Sequence, residues 1–124
     1  DKVFAEIEYL SRRGAHNIAP TDANFGLFER DVEITSFVAE QKRKNGYPRY
    51  FYPQMAKGWT QHTYKISEIL KNNDLTFGIT LSLQSWNDAT LASIKRKNLK
   101  REDYKEVRKY ALSKAIPTYT ELIM

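Results

Sequence analysis

The run from Thr76 to Gln84 alternates apolar residues with small polar ones. Strand side chains alternate faces, so Phe77, Ile79, Leu81 and Leu83 are expected to point one way. Thr76, Gly78, Thr80, Ser82 and Gln84 then point the other. A parallel strand covered on both sides should be apolar on both faces. The polar face is therefore suited to ligand contact, at the strand end where α/β proteins place their ligands. A turn into a helix follows, carrying Lys95-Arg96-Lys97. Asp22 and Asn24 occupy a loop behind an earlier short strand, and Glu121 interrupts an apolar ending, Leu122-Ile123-Met124.

Each of these residues also has a purely structural use. An amide such as Gln84 both donates and accepts, which suits sugar hydroxyls, but it also closes strand-end turns. A guanidinium such as Arg96 grips a carboxylate with two parallel bonds, yet basic helical runs are commonly solvated faces. Asp22 and Asn24 can accept from an ammonium group, and the same types start turns and helices by bonding their own backbone. A carboxylate buried mid-strand needs a partner, so Glu121 faces either a ligand or a neighbouring strand. Tyr50, Phe51, Tyr52 and Trp59 form either a substrate wall or part of the core. His16 and His62 stand far apart with no metal-ligand spacing around them.

The elements that must position these groups follow from spacing and punctuation. Val3, Ile7 and Leu10 recur at helical intervals before Gly14. His16 to Ala19 suits a short strand, ended by Pro20. A second helix is expected from Glu29, with Ile34, Phe37 and Val38 inward and Lys42-Arg43-Lys44 at the negative end of its dipole. Arg49 to Pro53 suits a strand, and Thr60 a cap for a helix carrying Ile66, Ile69 and Leu70. After the polar-faced strand, Asn87 can cap a short helix. A longer one runs from Arg101 to Ala115 with Val107, Tyr110 and Ala111 inward, before a final strand from Pro117 to Met124. Strict alternation implies parallel strands with right-handed crossovers.

Composition narrows the class. A chain of 124 residues is at most one domain, and 41% hydrophobic with 28% charged residues describes a folded, water-soluble protein. No apolar run approaches the ~20 residues of a membrane span. The sequence has no cysteine, so it offers neither a disulfide framework nor thiolate ligands. That usage points to the cytoplasm. A net charge of +5 favours anionic partners without choosing among them. Phosphate loops, dinucleotide glycine fingerprints and nucleophile elbows are missing.

Taken in order, the motifs resemble the radical S-adenosylmethionine (SAM) enzyme superfamily, closest to the branch that often carries a cobalamin-binding domain. Thr21-Asp22-Ala23-Asn24-Phe25-Gly26 is similar to that family's D-x-N-F element. Leu81-Ser82-Leu83-Gln84-Ser85 with Ile94-Lys95-Arg96-Lys97-Asn98 resembles its fourth strand and following helix, and Thr120-Glu121-Leu122-Ile123-Met124 its fifth strand. The resemblance implies that Gln84 contacts the ribose of SAM, that Arg96 pairs with its methionine carboxylate, and that Asp22 and Asn24 lie near its ammonium group. Ser82, on the same polar face as Gln84, and Glu121 are expected with them among the SAM-binding residues.

The family's Cys-x-x-x-Cys-x-x-Cys loop, which holds a [4Fe–4S] cluster, has no counterpart here. It would fall just upstream of Asp1. The chain is therefore expected to be one fragment, residues 1–124, of an α/β partial TIM-type (βα) barrel, with about four parallel strands and outer helices. The intact parent would cleave SAM reductively to a 5′-deoxyadenosyl radical, with cobalamin as a further cofactor in this branch. The fragment alone would be inactive and prone to self-association through cut sheet edges. The alternative is a non-catalytic basic α/β module that binds a nucleotide or RNA at the same rim.

Overall fold

Asp1 opens the first helix, its carboxylate accepting from the Val3 N–H at 3.0 Å. The structure, a computed structural model, describes residues 1–56, 58–81, 87–93 and 100–120. In chain order the elements are α1 (Lys2–Arg12), β1 (Asn17–Ile18), α2 (Glu29–Asn45), β2 (Tyr50–Phe51), α3 (Gln61–Asn72), β3 (Ile79–Thr80), α4 (Asp88–Ser93), α5 (Arg101–Ser113) and β4 (Thr118–Tyr119). This is the expected alternation of helix and strand. The chain divides into two compact units, Asp1–Phe77 and Gly78–Met124.

In the first unit, α2 packs against both α1 and α3. Ile7, Val38, Ala39, Ile66 and Leu70 from these helices close over Phe25, Phe51 and Leu75. Glycine ends α2: Gly46 has φ +78°, a conformation that costs it nothing, and its N–H bonds back to Lys42 O at 2.8 Å. Thr60 caps α3 as expected, its hydroxyl accepting from the His62 and Thr63 N–H groups at 3.2 and 3.3 Å. β1 and β2 pair in parallel, with Asn17 beside Tyr50 and Ile18 beside Phe51. The pairing extends past both strands, since Tyr52 N–H donates to Ile18 O at 2.9 Å. Farther along, Phe25 and Met55 form an isolated parallel bridge.

In the second unit, β3 and β4 also pair in parallel, Ile79 beside Thr118 and Thr80 beside Tyr119. The approach is tight: a Cβ added at Gly78 would come within 2.8 Å of Pro117 O. Val107 and Ala111 of α5 are buried, as are Ile79, Leu81 and Ile116. Asn87 starts α4 by accepting from the Ala89 N–H at 2.9 Å. Among the described residues, no helix is long and apolar enough to cross a membrane.

The four described strands pair as β1–β2 and β3–β4, all in parallel, as the alternation implied. Two expectations need correction. Phe77 does not share the inward face of Ile79 and Leu81. The chain bends at Phe77, whose ring is 66% exposed while Ile79 and Leu81 are buried. Nor is Lys42 a solvated cation: its ammonium donates to Arg49 O at 3.1 Å and Asp74 O at 2.6 Å. Arg43 likewise donates to Asn73 Oδ1 at 2.8 Å, so the basic end of α2 ties down the exit of α3.

Candidate functional site

The turn behind β1 is built from its buried end outward. Phe25 is 2% exposed and meets Phe51 edge to face, with centroids 5.8 Å apart. Its backbone is held on both sides: the Phe25 N–H donates to Gln54 O at 3.1 Å, and Phe25 O accepts from the Ala56 N–H at 2.9 Å. The phenylalanine of the D-x-N-F element is therefore the anchor. Asp22 and Asn24 are left exposed on the segment it holds. They meet in one local turn, Asp22 Oδ1 accepting from the Asn24 N–H at 2.8 Å.

The next residues fix the entry to α2. Gly26 has φ +99°, a region that side chains disfavour, and an added Cβ would press to 3.2 Å from Thr63 Oγ1. Gly26 O accepts from Thr60 Oγ1 at 3.0 Å. Its N–H donates to Asp31 Oδ2 at 2.8 Å, and the Phe28 N–H reaches the same oxygen at 3.1 Å. Asp31, 6% exposed, thus occupies the helix N-terminus where an external anion would otherwise bind. The N-cap residue, Phe28, has no side-chain oxygen of its own.

A cleft of about 450 Å³ opens between α1, the end of β1 and α2. Val3, Ile7, Leu10, Ile34 and Phe51 give it apolar walls, and Glu6, Asp22 and Asp31 bring carboxylates to it. Asp31 is committed to the backbone of its own loop. Asp22 and Glu6 are both exposed, and either carboxylate suits an incoming cation. An apolar cleft bordered by a carboxylate can take an ammonium-bearing group on an apolar stem.

Of the residues singled out from sequence, the structure brings Asp22 and Asn24 together at the C-terminal end of β1. Ser82, Gln84, Arg96 and Glu121 lie outside the described residues. Tyr50, Phe51 and Tyr52 separate: Phe51 is core at 1% exposure, while Tyr52 is 39% exposed on the other face of the strand. Trp59 packs edge to face on Tyr64, with centroids 5.1 Å apart. His62 Nδ1 lies 3.0 Å from Glu29 Oε2, close enough for an ion pair but without hydrogen-bond geometry. Among the described residues, no group of three or more His, Cys, Asp or Glu is placed to hold a metal ion.

Asp31 is the structural residue that spacing did not single out. Asp31 carries a faint signal, standing three places after Phe28 in the position of a capping-box acid. The usual serine or threonine partner at the cap is absent.

No family profile matches the chain. Over all 124 residues it is 36% identical to the cobalamin-dependent radical SAM methyltransferase TokK of Streptomyces tokunonensis. Over the same 124 residues it is 33% identical to the 2-(S-pantetheinyl)-carbapenam-3-carboxylate methyltransferase of Streptantibioticus cattleyicolor. The chain spans 18% of the length of each of these curated relatives.

Proposed function

We propose that this chain, a segment of the radical SAM superfamily related along its whole length to cobalamin-dependent methyltransferases, carries the SAM amino-acid and ribose contacts of a larger methyltransferase. The observation that carries this reading is the match to TokK across every residue of the chain. The segment belongs to a partial TIM-type (βα) barrel. The methyl acceptor of the whole protein is a small organic molecule of the carbapenam carboxylate class named in the second relative.

The residues present fit part of this assignment. The exposed Asp22 carboxylate and the Asn24 amide, on a turn anchored by Phe25, suit the ammonium group of SAM. Gln84 takes the ribose hydroxyls and Arg96 the methionine carboxylate, with Ser82 and Glu121 as further SAM contacts. For the [4Fe–4S] cluster the fit fails within this chain, which has no cysteine to supply a thiolate. The ligands come from the remainder of the longer protein. Held there, the cluster would supply the electron for reductive chemistry on SAM, and cobalamin would supply the methyl-carrying chemistry. The part of this chain is to hold and orient SAM.

Calorimetric titration of SAM into the longer protein tests the assignment. Arg96→Lys keeps the charge but loses the two-pronged geometry. A hydrogen bond to a charged group contributes roughly 1.5–3 kcal/mol, so affinity should fall by about tenfold or more. Gln84→Ala should cost less, since bonds between neutral groups contribute on the order of 1 kcal/mol. Unchanged affinity in Arg96→Lys, with iron content intact, would return Arg96 to a solvated basic face.

A further inference from the structure

β2 sorts its aromatic residues onto two faces. Phe51 points into the core under the helices and is 1% exposed. Tyr50 and Tyr52 flank it on the opposite face, their rings stacked at 6.0 Å and 28°. Phe77 continues the row, its ring 4.2 Å from that of Tyr50. The outer members stay open, Tyr52 at 39% and Phe77 at 66% exposure. Among the described residues of this unit, α1, α2 and α3 pack on the Phe51 side. The aromatic row therefore lies on the face the helices leave bare, although parallel sheets are ordinarily covered on both faces.

Position within the strand pair distinguishes the two tyrosines. Tyr50 stands level with Asn17, in the ladder. Tyr52 lies beyond it, its N–H closing on Ile18 O, at the C-terminal end of both strands. Tyr52 thus shares that end of β1–β2 with the turn of Asp22 and Asn24. Ligands of α/β proteins gather at that end. A tyrosine there offers a broad rigid ring with a phenolic donor at its tip, suited to a compact molecule with both apolar faces and a carboxylate.

From this geometry we infer that Tyr52, backed by Tyr50 and Phe77, is the wall against which the methyl acceptor packs, and that it contributes to selection of a bicyclic carboxylate with a thioether arm. The inference rests on the methyltransferase reading above and assigns to this chain a substrate contact separate from its SAM contacts. Tyr52 presents its ring to the apolar face of the acceptor and its hydroxyl to a polar edge. Tyr50, pinned between Tyr52 and Phe77, fixes the plane of that ring. Tyr50 and Phe77 are positioning residues.

The test uses the longer protein and measures binding without turnover. The probe is 2-(S-pantetheinyl)-carbapenam-3-carboxylate, titrated calorimetrically beside a separate titration of SAM. Tyr52→Ala should weaken the probe by about tenfold through loss of an aromatic contact, and Tyr52→Phe by severalfold through loss of the hydroxyl. SAM affinity should stay at the wild-type level in both. Tyr52→Phe keeps the ring and hence the packing, so it decides the matter if Tyr52→Ala fails to fold. Probe affinity unchanged in Tyr52→Phe and Tyr52→Ala overturns the inference, as does wild-type protein that binds SAM but not the probe. Equal losses for SAM and probe with a lowered melting temperature in both variants also overturn it, showing that Tyr52 packs against the rest of the protein. Absence of SAM binding by the wild-type protein would instead remove the methyltransferase reading, and this inference with it.

Discussion

Asp31 Oδ2 lies 2.8 Å from the backbone nitrogen of Gly26, and this bond joins the turn behind β1 to the start of α2. The same oxygen also holds the Phe28 N–H, so one buried carboxylate satisfies two backbone donors of the turn that leads into α2, one of them at the N-cap. The arrangement keeps the segment carrying Asp22 and Asn24 fixed at its far end.

Asp31→Ala leaves both N–H groups without this acceptor. Hydrogen bonds to charged groups contribute about 1.5–3 kcal/mol, and the loss of stability should fall in that range. Equilibrium urea unfolding of the 124-residue chain measures it. A change within a few tenths of a kcal/mol would mean that water replaces the carboxylate at no cost.

Lys42 gives a pH dependence with a defined sign. Burial lowers its ammonium below the ordinary 10.5; the neighbouring Asp74 carboxylate opposes the shift and Arg49 adds to it. Well below the folded-state value, both folded and unfolded chains carry the proton and no slope arises. Between that value and 10.5, the unfolded chain binds more proton than the folded one, so stability rises with pH. Lys42→Met removes this contribution along with the bonds to Arg49 O and Asp74 O. Urea unfolding of both proteins from neutral pH towards 10.5 should show the wild type gaining relative to the variant. Parallel stability profiles would show that Lys42 titrates alike in both states.

Asp22 joins two roles that one pair of variants separates. Asp22→Asn keeps a side-chain oxygen for the Asn24 N–H but removes the charge, whereas Asp22→Ala removes both. In the longer protein, Asp22→Asn should weaken SAM by about tenfold, the scale of one charge-assisted bond, with the melting temperature unchanged. Asp22→Ala should weaken SAM at least as far and also lower the melting temperature. If Asp22→Asn binds SAM like the wild type, the aspartate serves the turn alone.

The element order was legible because it depends on local spacing. Thr60 and Asn87 stand where caps were expected, Gly14 follows the end of α1 as its expected stop, and Val107 and Ala111 are buried as their periodicity required. That the strands pair in parallel was legible in the alternation of helices and strands, but which strands are neighbours was not, since alternation along a strand says nothing about its partner. Phe77 failed for a related reason: a bend at that residue breaks the period-two pattern, which holds only along an extended chain. Asp31 and Lys42 were hidden because their partners are backbone groups, whose positions no residue type reveals. Of the candidate site, the turn type at Asp22 was visible in the sequence. Its anchoring through Phe25 and the Asp31 carboxylate needed three dimensions. Ser82, Gln84, Arg96 and Glu121 lie outside the described residues and stand as proposals.

The 2.8 Å approach between an added Cβ at Gly78 and Pro117 O constrains how this region can vary. A saturation library at position 78 should return glycine almost alone, although the residue is only partly buried. The restriction comes from the backbone opposite, so smaller side chains around it cannot relieve it. Tolerance at 78 would emerge only together with changes that shift the carbonyl of Pro117, which makes the two positions a coupled pair for any recombination or evolution experiment.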